Sequence, residues 1–356
     1  MTPKDHDSAA KSRNRDNDAL RFPFAEAPPP GTLMDVAPGV KWLRMPLPFA
    51  LNHINLWVLD DGDGWTIVDT GISTDDTRRL WTEIFAGPLK GKPVKRLLCT
   101  HFHPDHIGVA GWLVETLGLE MWITPGELEA ARFNLALTRD KAVPLASKLY
   151  VRAGLESIVP TMMNARGEGY RGKVMPIPVK VSLIDPDKSI EAGGLMWRVV
   201  VGEGHSPQMA ALYAEAPGIL ISGDQVLPGI SPNVSVRDSQ PDTNPLKLFL
   251  DSLLRFKALP ADTLVLPSHK LPFYGVRERV DQLIKHHHDR LNDAREACVP
   301  GATAGEVMSA MFKRALDPHQ MSFALGETLA HLNYLIATGD VVREETPTGA
   351  DRYQTV

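Results

Sequence analysis

Cysteine is nearly absent: only Cys99 and Cys298 occur, far apart and outside any CxxC pattern. That excludes a disulfide framework and fits a reducing, cytoplasmic setting. Long apolar runs are missing as well, so no bilayer-spanning helix is expected. The polar, charged opening, KDHDSAAKSRNRDND, lacks the apolar centre of a secretory signal. There is no surplus of positive charge: the formal net charge of -5 argues against a general binder of nucleic acid or membrane surfaces. No GxSxG or Cys-His signature is present, so catalysis through a protein nucleophile has no evident carrier.

What the chain does have is apolar content of 43% against 23% charged residues over 356 positions, enough for a large catalytic domain and a small appendage. Residues 1–31, ending in APPPG, read as a disordered or surface-draped tail in which His6 is solvated. From Val36 the pattern turns β-rich: VKWLRMPLP, INLWVLDDGDGWTIVDTG and VKRLLCTH are short apolar runs, and DDGDG between two of them signals a hairpin. A helix is predicted between Thr74 and Ala86, with Asp75 or Asp76 near its start. RLLCT reads as a buried strand, GVAGWLVETLG as a helix and EMWIT as another strand. Strand, loop, helix, strand is α/β organisation.

Gly126 to Lys180 is mostly helical in pattern, broken by Pro144, Pro160 and ARGEGYRG. It holds nine Lys or Arg against five Asp or Glu in a chain that is acidic overall. These are either solvated helix faces or a cap that brings cations to an anionic substrate; the candidates are Arg132, Arg139, Lys148, Arg152, Arg166 and Arg171. Strands resume with KVSLID, LMWRVVVGEGH, ALYAEA, GILISGDQVL and TLVLPSH. After Tyr274 come a long amphipathic helix (VRERVDQLIKHHHDRLNDAREAC), two more helices (TAGEVMSAMFKRAL and FALGETLAHLNYLIATG) and a terminal hairpin with PTGAD as its turn. Three helices and a β-wing suggest a winged-helix module. His286 to His288 point in different directions on a helix and read as surface and boundary residues, one of which can reach the cleft.

The densest signal is THFHPDHIG, Thr100 to Gly108, with His101, His103, Asp105 and His106 spaced HxHxDH. In extended chain, side chains two apart share a face, so His101 and His103 can reach one ion while Asp105 and His106 turn to another. Imidazole and carboxylate suit zinc and its first-row neighbours. Three later apolar strands run into a polar residue in the same way: WRVVVGEGH at His205, GILISGD at Asp224 and DTLVLPSH at His269. If those strands lie side by side, their ends meet at one sheet edge.

With these residues the chain resembles the metallo-β-lactamase superfamily over roughly Val36 to Phe273. The resemblance implies an α/β fold, an αββα sandwich with a metal site at one edge. It implies that His101, His103 and His205 bind one metal ion, that Asp105, His106 and His269 bind a second, and that Asp224 bridges them. IVDTG matches a further family element, which makes Asp69 a buried carboxylate orienting the ligand loop; from the residues alone a turn-capping role is equally open. Some family members carry cysteine at Asp224 or glutamate at His103, read DHxGG where Val109 follows Gly108, or read PGHT where this chain has GEGHSPQ. No single member's substrate therefore transfers. The C-terminal region resembles the winged helix of a β-lactamase-like, glyoxalase II-like branch that includes an endoribonuclease. The implied organisation is a tail (1–31), a catalytic domain (32–274, with the cap segment 126–180) and a small winged-helix domain (275–356).

Two ions sharing a water-derived hydroxide generate a nucleophile at neutral pH. Asp105 is then expected to orient that nucleophile and Asp224 to fix the metal separation, as the two catalytic carboxylates. The expected activity is hydrolysis of a small ester, thioester or lactone with an anionic portion, using two Zn2+ ions, with iron or manganese as alternatives. Competing readings are a metal-dependent endoribonuclease, a persulfide dioxygenase with one iron, and a metal-binding regulatory protein without catalysis. DNA is an unsuitable partner. Residues 275–356 hold nine Lys or Arg against twelve Asp or Glu, and Ser322 to Ala337 carries no cation for phosphate. That module is expected to pack on the catalytic domain or to form a homodimer.

Overall fold

The computed structural model describes residues 19–298, 301–346 and 349–356. Most of the expected loose tail, His6 included, lies outside the described residues, as do Pro347 and Thr348 of the terminal turn. Within the described part, the chain is tied down from Leu20, which is buried. The backbone of Arg21 pairs with that of Tyr274, and Phe24 packs edge-on against Trp42.

Two sheets form the centre. The first runs β1 (Leu33–Ala37), β2 (Val40–Pro46), β3 (His53–Asp60), β4 (Trp65–Val68), β5 (Val94–Leu98), β6 (Met121–Ile123), β7 (Val181–Leu183), with neighbours in that order. Its first four strands pair antiparallel and the rest join parallel. The second comprises β8 (Ser189–Ala192), β9 (Leu195–Gly202), β10 (Met209–Ala214), β11 (Ile219–Gly223) and β12 (Leu264–Pro267), ordered β12-β11-β10-β9-β8. Only β11 and β12 pair parallel there.

The two-residue period of β3 explains the layering. Trp57 and Leu59 enter the core between the sheets with Trp42, Trp197, Leu212 and Ile221. Ile54, Leu56 and Val58 face the other way, into a core shared with Trp81 and Ile84 of α1 (Asp75–Ala86), Leu113 of α3 (Ala110–Leu117) and Leu128 of α4 (Pro125–Ala136). A strand buried on both faces reads as an unbroken apolar run, as this one does. Between α1 and α3, the short α2 (Pro104–Ile107) starts inside the histidine loop, with Pro104 in the first turn where its missing N–H is not needed.

On the outer side of the second sheet lie α7 (Pro245–Lys257) and α8 (Val276–Ala297). One continuous apolar cluster joins them to α5 (Arg139–Arg152), α6 (Val159–Ala165), α9 (Ala304–Met311), α10 (Pro318–Thr338) and the small hairpin of β13 (Val341–Glu345) and β14 (Asp351–Thr355). The fold is thus α/β with two mixed sheets between helical layers, and a helical C-terminal region carrying a small hairpin.

Several local expectations are corrected. Pro144 does not break the cap: α5 runs through it, losing one backbone bond on an exposed face. Pro160 lies in the first turn of α6 and opens that helix. The helix predicted over TAGEVMSAMFKRAL stops at Met311. His287 is not a surface residue but is buried, with its Nδ1 3.3 Å from His331 Nε2. Strand β8 and helix α7 were not anticipated. Helix α7 has a legible start, since the Asn244 side chain accepts from Lys247 N–H and Pro245 follows.

Helix α7 matters because it abuts the loop after β9. Gly204 has φ +88, and a Cβ there would stand 2.3 Å from Pro245 O and 2.5 Å from Phe249 N. Phe249 is fully buried under this contact. We expect Phe249→Ala to cost about 3–5 kcal/mol, read as a lowered midpoint of urea unfolding. Gly204→Ala, which also meets the positive φ, should reduce metal content as well as stability.

Candidate metal centre

The donor residues follow the C-terminal ends of the parallel strands, the edge of an α/β sheet where sites collect. Asp69 follows β4, and His101 to His106 follow β5. Asp224 follows β11, and His269 follows β12; His205 comes from the turn between β9 and β10. Backbone bonds sew the two sheets together at this edge: Ala210 N–H donates to Thr100 O at 2.9 Å and Asn55 N–H to Ser268 O at 2.7 Å. The ligand loop is not extended throughout: α2 begins at Pro104, and the His106 ring comes back to within 3.8 Å of the His101 ring, centre to centre.

All seven predicted donors come together. His101 Nε2 lies 3.0 Å from His103 Nδ1, which lies 2.9 Å from His205 Nε2. His269 Nε2 is 3.4 Å from Asp105 Oδ2, and His106 Nε2 is 3.8 Å from the same oxygen. Asp224 stands between the groups. Its Oδ1 is 3.5 Å from both His106 Nε2 and His269 Nε2, and its Oδ2 is 3.5 Å from His205 Nε2. These residues form three overlapping groups able to hold a metal ion.

For three of the histidines, the inward-facing nitrogen is set by what the other ring nitrogen does. His205 Nδ1 donates to Asn233 O at 2.8 Å, His269 Nδ1 to His53 O at 2.8 Å, and His106 Nδ1 to Asp69 Oδ2 at 2.8 Å. Asp69, buried and at φ 64, also accepts from Thr100 N–H at 2.7 Å and from Thr100 Oγ. Lys270, next to His269, is the other non-glycine residue at positive φ among the described residues. Asn55 Nδ2 holds its loop through Pro267 O and Lys270 O, each at 2.8 Å.

Sequence reasoning missed Glu127. This fully buried side chain in the first turn of α4 accepts from Phe102 N–H at 3.0 Å, Ser206 Oγ at 2.6 Å and Gln208 N–H at 2.6 Å. It thereby ties the histidine loop of the first sheet to the His205 turn of the second. Burial pushes its carboxyl above the usual range. The expected basic cap fares differently. Arg139 donates to Gly167 O and Met163 O, Arg171 to Leu135 O, and Arg166 pairs with Asp238. Arg152 pairs with Asp351 and Asp242. Arg132 and Lys148 are exposed.

Electrostatics divide the cluster. Burial, with the charge of His106 and the other imidazoles, holds His101 well below the usual histidine range. Burial, His205 and Arg237 do the same to His103. For His269 burial opposes the charge, but Asp224 and Asp105 outweigh it and raise the pKa to about 10. His106 is likewise raised against burial by Asp69, Asp105 and Asp224. Among the described residues, His106 Nε2 and Asp224 Oδ1 are buried polar atoms with no hydrogen-bond partner. Unmet buried donors and acceptors are costly, and a cation between them removes that cost. The donor set therefore fits a binuclear metal site.

Two outcomes follow. Metal ligation requires neutral imidazole, and a histidine with pKa about 10 is protonated at pH 8. Loading metal-stripped protein at pH 8 should therefore release protons, by calorimetry in buffers of differing ionisation enthalpy. His269→Ala should release fewer. Glu127→Ala leaves Phe102 N–H and Gln208 N–H unpaired and should cost about 1–3 kcal/mol per buried group, together with weaker metal retention in a chelator competition.

Comparison with known proteins agrees with this geometry. Residues 51–269 match the family described as the Metallo-beta-lactamase superfamily, and residues 291–356 match Metallo-beta-lactamase-like, C-terminal domain. The crystal structure of a beta-lactamase domain protein from Burkholderia ambifaria is 45% identical, covers 96% of this chain and 100% of its own, and has a TM-score of 0.89. A metallo-beta-lactamase family protein from Thermus thermophilus is 31% identical over 90% of this chain and 100% of its own, with a TM-score of 0.76. A Bacillus subtilis (strain 168) protein named "Probable metallo-hydrolase" is 24% identical across 83% of this chain and 91% of its own length. A linear primary-alkylsulfatase from a Pseudomonas species is 26% identical across 74% of this chain, which spans only 50% of that protein. The family match takes in every one of the seven donors, and the chain belongs to the metallo-beta-lactamase superfamily.

Proposed function

We propose that this metallo-hydrolase acts on a small ester, thioester or lactone bearing an anionic group. The observation that carries the reading is the position of Asp224: one oxygen faces His106 and His269 and the other faces His205, so two donor sets share one carboxylate. His101, His103 and His205 would hold one ion, Asp105, His106 and His269 the other, and Asp224 both. Three imidazoles with carboxylates suit zinc, and also iron or manganese. Bound there, divalent ions supply Lewis acidity and bring the pKa of water toward ~7.

The chain's own residues do the rest. Asp105 stays charged: burial opposes it, but His106 and His269 hold its pKa down to about 2, so at neutral pH its carboxylate accepts a hydrogen bond from the attacking water and orients it. Asp69 and Thr100 fix the histidine loop. Small molecules suit the site better than RNA, because α10 carries no Lys or Arg and most of the cap arginines are engaged in the fold. A reducing compartment suits the two buried, free thiols.

The relationship to an alkylsulfatase supports a second reading, hydrolysis of a sulfate ester. A side-by-side assay of metal-loaded protein on an acyl-CoA thioester, a lactone, an alkyl sulfate and single-stranded RNA decides among them. The expected result is turnover of the thioester or lactone. Turnover of the sulfate alone installs the second reading, and cleavage of RNA alone defeats both. Asp224→Ala and His103→Ala should each lower hydrolysis to background while the far-ultraviolet circular dichroism is unchanged. Full activity in both purified variants would refute the two-ion reading.

A further inference from the structure

Four of the six cations expected in the cap have partners in the fold and the other two, Arg132 and Lys148, are exposed, whereas among the described residues one cation outside the cap is half-buried without a partner. Arg237 lies in the loop between β11 and α7. Its guanidinium carbon sits 4.5 Å from the centre of the Phe102 ring, and the same ring lies 4.5 Å from the ring of His103. Arg237 is thus beside the histidine triad. Among the described residues, no hydrogen bond or ion pair reaches its guanidinium. The neighbouring acids have other partners: both oxygens of Glu127 are taken by Phe102 N–H, Ser206 Oγ and Gln208 N–H, and Asp238 pairs with Arg166 at 2.7 Å. Arg237 is nevertheless half-buried.

A partly buried guanidinium without an acceptor is unfavourable, since water is withdrawn and no anion replaces it. Its place is held from outside by aromatic packing. Phe102 is itself pinned at both backbone ends, by Glu127 on its N–H and by the Tyr170 hydroxyl, which donates to its carbonyl at 2.6 Å. The fork is therefore pre-positioned one aromatic ring from a predicted metal donor, with its donors open.

We propose that Arg237 is the specificity residue that anchors the anionic group of the substrate, a carboxylate, sulfate or phosphate matched to the planar fork. The substrate's hydrolysable bond then lies over the donor cluster while its charge pairs with Arg237. The assignment rests on the hydrolase reading above for which bond is cut, but not for the binding itself.

The test uses metal-loaded full-length protein, with p-nitrophenyl hemisuccinate as the anionic ester and p-nitrophenyl butyrate as its neutral counterpart. Arg237→Met keeps an apolar stem on Phe102 and removes the charge. It should raise KM for the hemisuccinate about 10- to 100-fold, the range of a charge-assisted pair, and leave butyrate unchanged. Arg237→Lys should recover part of the loss, keeping the charge without the fork. An equal loss on both esters, or no loss on either, overturns the proposal. Calorimetric titration with monomethyl succinate separates the two layers of argument. If the wild-type protein binds it at least tenfold more tightly than Arg237→Met at equal metal content, the anchor stands even when neither ester is cleaved. Equal affinity refutes the anchor even if hydrolysis is robust.

Discussion

The Asp69 carboxylate is the interaction on which the rest of the site depends. It is buried at the end of β4, and a buried carboxylate is tolerated only when its oxygens are hydrogen-bonded. The Thr100 backbone and hydroxyl and the His106 ring donate to its two oxygens. That compensation draws the start of the histidine loop and its last ligand to one point. Because His106 gives its Nδ1 proton to Asp69, its Nε2 must face Asp105 and Asp224. The left-handed backbone at Asp69 is strained for a non-glycine residue, and the surrounding hydrogen bonds hold it there.

The seven donors are legible in the sequence for a physical reason, whereas Asp69 stands out only through the resemblance that IVDTG carries. Ligands that meet at strand ends leave a local signature, an apolar run stopping at a polar residue, and HxHxDH compresses four of them into one turn of chain. Glu127, Arg237 and Asn233 left no such mark. Each acts across long sequence distances, on Phe102, Ser206 or His205, and in sequence each is an ordinary polar residue on a helix or loop. Helix α7 is a different case. Leu246, Phe249, Leu253 and Phe256 recur at helical spacing behind an Asn-Pro start, so its signal is present in the sequence.

The cap shows that charge counting alone does not locate a binding site. Its positive surplus is real, but arginines at the ends of short helices find carbonyl acceptors and acids in neighbouring segments. Arg139 closes the cap on itself, while Arg152 joins it to β14 through Asp351. Composition reports how many cations a segment holds, whereas the fold decides which of them lack a partner.

The same principle gives the C-terminal helices a place in the chemistry. The segment after Asp224 carries Asn233, whose carbonyl sets His205, and then Arg237. It has almost no regular structure, so its own backbone groups need outside partners. Arg279 of α8 supplies them at Leu227 O and Ile230 O, and the Gly326 carbonyl of α10 accepts from Val236 N–H. Asn333 of α10 donates to Pro241 O and Thr243 O. The contact at Gly326 leaves no room for a side chain: a Cβ there would lie 2.8 Å from Ser235 Cβ. These helices thus brace an irregular loop that the sheets cannot hold, and the orientation of His205 depends on residues as far along the chain as Gly326 and Asn333.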